Sequence, residues 1–347
     1  MTNPWSWYDD ADVLRREQER IFARTWQYVA HAGELANAGD YVTAQLGRIP
    51  VVLTRAEDNE LRALANVCVH RGSLVADGAG NRHTLQCPYH AWTYGLDGTL
   101  RAAPRADFDV DGMSLVALRL ERWGPFLFAN ADADAAPLAD VLGDVPEQLA
   151  RGGIDVDSLA FHHRTRWSVD ANWKLVAENF LECYHCAVAH PSFSATVDVS
   201  PAAYALEEGR WHSSQRAHLR NGDGAGQFHF LWPGTVINVF PGAANLSIGS
   251  LTPAGTARTE RVLDYFFVPG EDERWIGELL ELDDTVGRED TALVERVQAG
   301  VSAGVLESGR LLGDAERLVA HFQRLVRDAL ADEGSRLRET GGAEDVV

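Results

Sequence analysis

Two short stretches constrain this chain more than anything else in it. Residues 68–72 read Cys-Val-His-Arg-Gly and residues 87–92 read Cys-Pro-Tyr-His-Ala-Trp, with sixteen residues between His70 and Cys87. Each stretch sits between β-rich runs, beside Gly72 or Pro88, so both read as loops. A structural zinc site is the first alternative, since Cys₂His₂ suits it. Zinc sites more often group like ligands, whereas here each loop supplies one sulfur and one nitrogen. That mixed pairing fits a two-iron, two-sulfur cluster with Cys68 and Cys87 on one iron and His70 and His90 on the other. Neutral imidazoles in place of two thiolates raise the cluster potential.

The pattern sits in an all-β unit. Tyr41 to Leu46, Ile49 to Thr54 and Glu60 to Val67 are short β-rich runs, and the pattern continues to Phe128. The reading divides the chain into a helical segment over 1–38 that packs on the catalytic part, the cluster domain over 39–132, and a catalytic domain over 133–347. The Ala/Asp stretch at 131–137 marks the second boundary. Beyond it, residues 138–150, 172–189, 288–300 and 314–332 have helical composition, and β-like runs fill 227–267. The fold class is α+β, an all-β [2Fe–2S] domain plus an antiparallel sheet covered by helices. The tail after Gly334 is expected to be loose.

A second constellation lies in Asp170 to His190. On one continuous helix Glu178, Glu182 and His185 would share a face. His190 could join His185 on one metal only if the helix bends or ends between them, and Pro191 is consistent with an end there. Two histidines need a carboxylate to complete the facial triad of an oxygen-activating Fe(II) site. The acidic helical stretch at 287–298 offers Glu289, Asp290 and Glu295, and spacing alone leaves all three open.

Together these motifs resemble the Rieske non-haem iron oxygenases, specifically the catalytic alpha subunits of the ring-hydroxylating group. The resemblance covers nearly the whole chain. It implies that Cys68, His70, Cys87 and His90 hold the Rieske cluster. It also implies that His185, His190 and Asp290 hold a mononuclear iron, with Glu289 as the competing carboxylate. Glu182 matches the acid that bridges the two centres, where many members carry Asp, and Asn179 stands beside it in the same catalytic segment. Members form head-to-tail rings, usually trimers, in which His90 of one subunit would meet Glu182 of the next; an additional beta subunit is compatible with this. Electrons would come from an NAD(P)H-dependent reductase, with or without a ferredoxin.

The implied activity is O₂-dependent mono- or dioxygenation of a small organic substrate, aromatic or heteroaromatic before others. The alternative is N-demethylation, monooxygenation or N-oxidation of an amine or quaternary ammonium compound. An electron-transfer protein without catalysis is the alternative of another class. A pocket is expected around Phe228, Phe230, Trp232, Val236, Asn238 and Phe240, where aromatic rings could stack on an arene or cage a cation. The formal charge of -20 and pI ≈ 4.9 argue against nucleic acid and anionic membranes as partners. With no apolar run long enough to span a bilayer and no signal-peptide pattern, a cytoplasmic location is expected. There cysteines beside histidines read as metal ligands rather than a disulfide framework, Cys68 and Cys87 as ligands and Cys183 and Cys186 as small core residues.

Overall fold

The computed structural model describes residues 1–221 and 224–331. The tail after Gly334 lies outside the described residues. Helix α1 (Ala11–Arg20) starts where the Asp10 carboxylate accepts from the backbone N–H groups of Asp12 and Val13.

In the described residues the N-terminal part builds a seven-stranded sheet and a three-stranded one. The first runs β1 (Gln27–His31), β10 (Phe126–Asn130), β9 (Ala117–Trp123), β4 (Leu61–Ala65), β3 (Ile49–Arg55), β2 (Asp40–Leu46), β5 (Ala79–Asn81). The second runs β6 (Thr84–Gln86), β7 (Thr93–Gly95), β8 (Leu100–Ala102). Strand β1 falls in the segment expected to be helical, because Tyr28 and Ala30 pair with β10 and bury against it. The first 38 residues therefore also supply the edge of the cluster-bearing sheet.

The C-terminal part is one antiparallel sheet in the order β11 (Ala160–Val169), β17 (Arg258–Phe267), β16 (Asn245–Gly255), β15 (Thr235–Val239), β14 (Ala225–Leu231), β13 (His212–His218), β12 (Tyr204–Glu208). Its side chains alternate between two cores. Phe228, Phe230, Trp232 and Val236 face the core that holds α4 (Trp173–Phe180), α7 (Glu273–Ser302) and α8 (Arg317–Leu330). Leu231, Ile237, Val239 and Ile248 face the other core. There they meet α2 (Leu138–Leu142), α3 (Val145–Arg151) and the aromatic residues Tyr28, Phe126 and Phe128. This second core joins the two parts of the molecule. Arg164 fastens the same joint, donating to both Glu34 oxygens at 2.8 and 2.7 Å and to Asp264 Oδ2 at 2.7 Å. No helix among the described residues is long and apolar enough to cross a membrane.

Helix α4 is held at its start by Asn172, whose side chain accepts from Lys174 N–H and whose own N–H donates to Gln298 on α7 at 2.8 Å. It ends at Phe180, well short of the continuous helix expected to residue 189. Glu182 breaks it by accepting from the backbone N–H groups of Tyr184 and His185, which starts the short helix α5 (Cys186–Ala189) afresh. Pro191 then opens α6 (Pro191–Thr196) at its first turn rather than closing a long helix. The break overturns the shared face of Glu178, Glu182 and His185. Glu178 turns the other way and accepts from Tyr8 Oη at 2.6 Å and Gln323 Nε2 at 3.0 Å. Burial raises its pKa to about 7 despite those donors and Lys174. Cys183 and Cys186 bracket the new helix start and are joined by a disulfide, which corrects the expectation of two unbonded core thiols.

Candidate metal centres

The first centre is built by two folded-back loops. Cys68 N–H donates to Ser73 O and Gly72 N–H to Cys68 O; Cys87 N–H donates to Trp92 O and Ala91 N–H to Cys87 O. Gly72 and Ala91 take left-handed backbone conformations, φ +76° and +59°, that let each loop close within a few residues. The fold leaves Cys68 and Cys87 as buried free thiols and puts His70 at the surface with His90 half-buried. The two imidazoles lie edge to face with centroids 4.7 Å apart, and His70 stacks on Trp92 at 4.7 Å. All four residues predicted for this centre are therefore brought together at the ends of the two loops.

The electrostatics at Cys87 suit a thiolate. Burial raises the Cys87 pKa, but the backbone N–H groups of Tyr89 and His90, with Cys68 and Ser73, bring it below its ordinary value. Tyr94 was not singled out by the sequence reading. Its hydroxyl accepts from Val69 N–H at 3.2 Å, which points its own proton at Cys68 Sγ, 3.1 Å away. Such a donor to a cluster sulfur tunes the potential.

The second centre forms where α5, the start of α6 and the middle of α7 converge. His185 Nε2 and His190 Nε2 are 3.1 Å apart, and Asp290 Oδ1 lies 3.4 Å from the first and 3.0 Å from the second. Three donors at right angles about 2.1 Å from one ion would be separated by roughly 3.0 Å. The match is close. On the far side of each ring a carboxylate meets Nδ1: Glu182 on His185, and Glu289 on His190 at 2.8 Å. With those two nitrogens donating, the Nε2 lone pairs and Asp290 Oδ1 face one point with no proton between them. Asp290 Oδ1 is accordingly buried without a hydrogen-bond donor. The donor set fits a cation held on one face, and this observation also separates Asp290 from Glu289. Glu295 is used elsewhere, accepting from Asp170 N–H at 3.2 Å.

The carboxylates that suit a metal cation also favour protons on the two rings, with which a metal would compete. Burial lowers the His185 pKa, but Asp290 and Glu182 outweigh it and lift it to about 9; His190 is raised as well. Burial raises Asp290, and the two histidines and the Asn179 side chain hold it well below the carboxylate range. Asn179 is thus placed on Asp290. Cys186 Sγ also comes within 4.8 Å of both histidines, but its bond to Cys183 removes it as a donor.

A cavity of about 780 Å³ opens onto this triad. Phe228, Asn238 and Phe240 line it as expected, and Phe193 and Tyr204 join them. The rings of Phe193, Phe228 and Phe240 meet edge to face at 5.8 Å each. Phe230 and Trp232 are not in its lining. They share the face of Phe228, but Phe322 of α8 covers that end of the strand at 5.6 and 5.7 Å. A further stretch of lining, from the same sheet, lay outside that expectation. It consists of the cross-strand pairs His163–Tyr265, Thr165–Leu263 and Trp167–Arg261 of β11 and β17. Only β17 lay within the β-like run expected over 227–267, and which residues stand opposite each other depends on a register that a bulge between Phe161 and His163 shifts. Glu182, Glu281, Asp283, Asp284 and Asp290 outnumber Arg166, Arg261 and Arg288 and give the lining a net acidic character.

Residues 25–112 match the Rieske [2Fe-2S] domain family, and residues 156–332 match the catalytic domain of the ring hydroxylating alpha subunit. The carnitine monooxygenase oxygenase subunit of Escherichia coli K12 is 36% identical over 95% of this chain and 94% of its own length. Chloroplastic choline monooxygenase of Amaranthus tricolor is 30% identical over 92% of this chain and 76% of its own. Among solved structures, a quaternary ammonium Rieske monooxygenase, determined for insight into carnitine oxidation by gut microbiota and inter-subunit electron transfer, superposes with a TM-score of 0.85. It is 32% identical, covering 95% of each chain.

Proposed function

The chain belongs to the Rieske oxygenases, oxidoreductases that carry a Rieske [2Fe–2S] cluster and a mononuclear iron in a ring-hydroxylating alpha-subunit catalytic domain, and we propose that it is a monooxygenase of quaternary ammonium compounds. The observation that carries this reading is the cavity itself. Its wall of Phe193, Phe228, Phe240 and Tyr204 offers ring faces to a cation, and its acidic lining favours positive charge. The relatives with carnitine and choline as named substrates support the same class. An arene would gain the stacking and nothing from the acids, so the aromatic substrate placed first by sequence gives way to the amine alternative.

On this reading Cys68, Cys87, His70 and His90 hold the cluster, and His185, His190 and Asp290 hold the iron. When bound, the two metal groups supply the reduction of O₂ that no side chain can perform. The chain's own residues orient and seclude. Asn179 fixes Asp290, Glu289 fixes the ring of His190, and Glu182 fixes the ring of His185. The aromatic wall holds the ammonium group beside the triad, and burial keeps water from it.

Electrons enter from an NAD(P)H-dependent reductase, and a head-to-tail homotrimer joins the cluster of one subunit to the iron of the next. Tyr89 beside His90 is 56% exposed, and Tyr184 and Val188 beside Glu182 are 68% and 87% exposed. Apolar surface next to both centres is what such a contact would cover. Glu182 then bridges the two. Glu182→Gln should leave both metal sites loaded and slow turnover about 10- to 100-fold. In stopped-flow, reduction of the cluster should be normal and its re-oxidation by substrate and O₂ slow. Re-oxidation at the wild-type rate would remove Glu182 from the electron path.

The class is tested with the loaded protein, a surrogate reductase, NADH and ¹⁸O₂, against L-carnitine, γ-butyrobetaine, choline and naphthalene. One labelled oxygen in the product of a quaternary ammonium compound, with naphthalene untouched, is the expected result. A doubly labelled diol from naphthalene would overturn it.

A further inference from the structure

The cavity holds a cation of its own. Of the three arginines in its lining, Arg166 is exposed and Arg288 pairs with Asp284 at 2.9 Å; Arg261, on β17, has its guanidinium carbon 4.5 Å from the centroid of the Trp167 ring. It is half-buried, yet among the described residues its side chain makes no hydrogen bond and has no carboxylate oxygen within 4.0 Å. Arg164, three positions away on the partner strand, shows what a buried arginine in this sheet ordinarily has, since two carboxylates embrace it. The acids nearest to Arg261 in charge are both engaged. Asp283 accepts from the Tyr265 hydroxyl, and Asp290 faces the two histidines. Burial accordingly pushes the Arg261 pKa down, and Asp290 and Asp283 only partly restore it.

A guanidinium left without a partner in a half-buried cavity wall is unfavourable, and its planar fork matches a carboxylate. In a cavity that takes a cation it is also a discriminator. A substrate bearing only positive charge is repelled by it, whereas one bearing a carboxylate at its other end is held. We propose that Arg261 is the carboxylate anchor of this cavity, and that the substrate is a zwitterion with a quaternary ammonium at one end and a carboxylate at the other. This rests on the quaternary-ammonium reading above and divides that class, setting carnitine-like molecules apart from choline-like ones. Trp167 holds the guanidinium by its face and leaves the fork free to point at the ligand.

The test is equilibrium binding to the fully loaded protein without O₂, by calorimetry, with L-carnitine, γ-butyrobetaine and choline as probes. The wild type should bind the two zwitterions at least about 10-fold more tightly than choline. Arg261→Gln should weaken both zwitterions about 10- to 100-fold and leave choline unchanged or tighter, and Arg261→Lys should fall between. Iron content and the cluster spectrum of each variant report whether the fold and both centres survive. Wild-type preference for choline would overturn the anchor and leave the quaternary-ammonium reading standing; no binding of any of the three would overturn both. Equal loss for choline and the zwitterions, or a fall in kcat with every Kd unchanged, would make Arg261 a support for Asp290 and refute the proposal.

Discussion

Asp290→Ala is expected to abolish turnover, by at least about 10³-fold, while leaving the visible spectrum of the cluster unchanged. The carboxylate is one corner of a triangle whose sides are 3.0, 3.1 and 3.4 Å, and no neighbouring acid can replace it. Glu289 is adjacent in sequence but about 100° round the helix, and its oxygen lies on Nδ1 of His190, the wrong side of that ring. The histidines alone would lack the charge and the third donor of a facial site. Iron per chain should fall from about three to about two, measured by plasma emission against protein concentration. Glu289→Ala should keep the iron in the same assay, since it removes a support rather than a ligand. If the two variants behaved alike, or if Glu289→Ala lost the iron and Asp290→Ala did not, the triad would have to be redrawn.

The second large effect is on stability. Lys174 Nζ and Glu17 Oε1 are 2.6 Å apart and both side chains are fully buried. The other Glu17 oxygen accepts from Trp173 Nε1 at 2.7 Å, and the ammonium sits 5.0 Å from the centroid of the Tyr8 ring. This ion pair fastens α1 to α4, and so holds the N-terminal helix against the helix that leads into the iron site. Glu17→Ala removes the ammonium's hydrogen-bonded partner and leaves only Glu178 to balance it in charge, and burial already drags its pKa down. The expected loss is about 3–5 kcal/mol by urea unfolding. The double variant Glu17→Leu/Lys174→Met should recover most of it, because a well-packed apolar pair needs no charge to balance. A single variant costing less than about 1 kcal/mol would mean that water reaches the pair.

How much of this could be read from residues alone depended on distance along the chain. The four cluster ligands come from two short loops, and their identities fix their chemistry wherever the loops lie. His185 and His190 were legible for the same reason. Asp290 was not separable from Glu289 by spacing, because adjacent helical residues differ only in direction, and direction is set by what α7 packs against. The helix break at Phe180 was missed because Leu181 to Ala189 has good helical composition; the competing interaction is the Glu182 carboxylate, which takes the backbone N–H groups of Tyr184 and His185 out of a continuing helix. Phe230 and Trp232 were misplaced because alternation gives the face of a strand and not what covers its far end. Arg261 was invisible because its role depends on standing opposite Trp167, a matter of register.

The spacing of the two ligand sets has a bearing on how the protein is made. Every residue proposed for the cluster, and every strand from β1 to β10 that frames it, is synthesised before the catalytic sheet begins at Ala160. The iron site must wait for α7 to deliver Asp290, and α4 is not fully held until Gln323 of α8 reaches Glu178. A growing chain therefore passes through a stage that can accept the cluster and cannot yet hold the catalytic iron, with domains maturing from the N-terminus onward. Two cofactors that draw on the same metal are thus admitted in a set order, and the order is written in where along the chain their ligands fall.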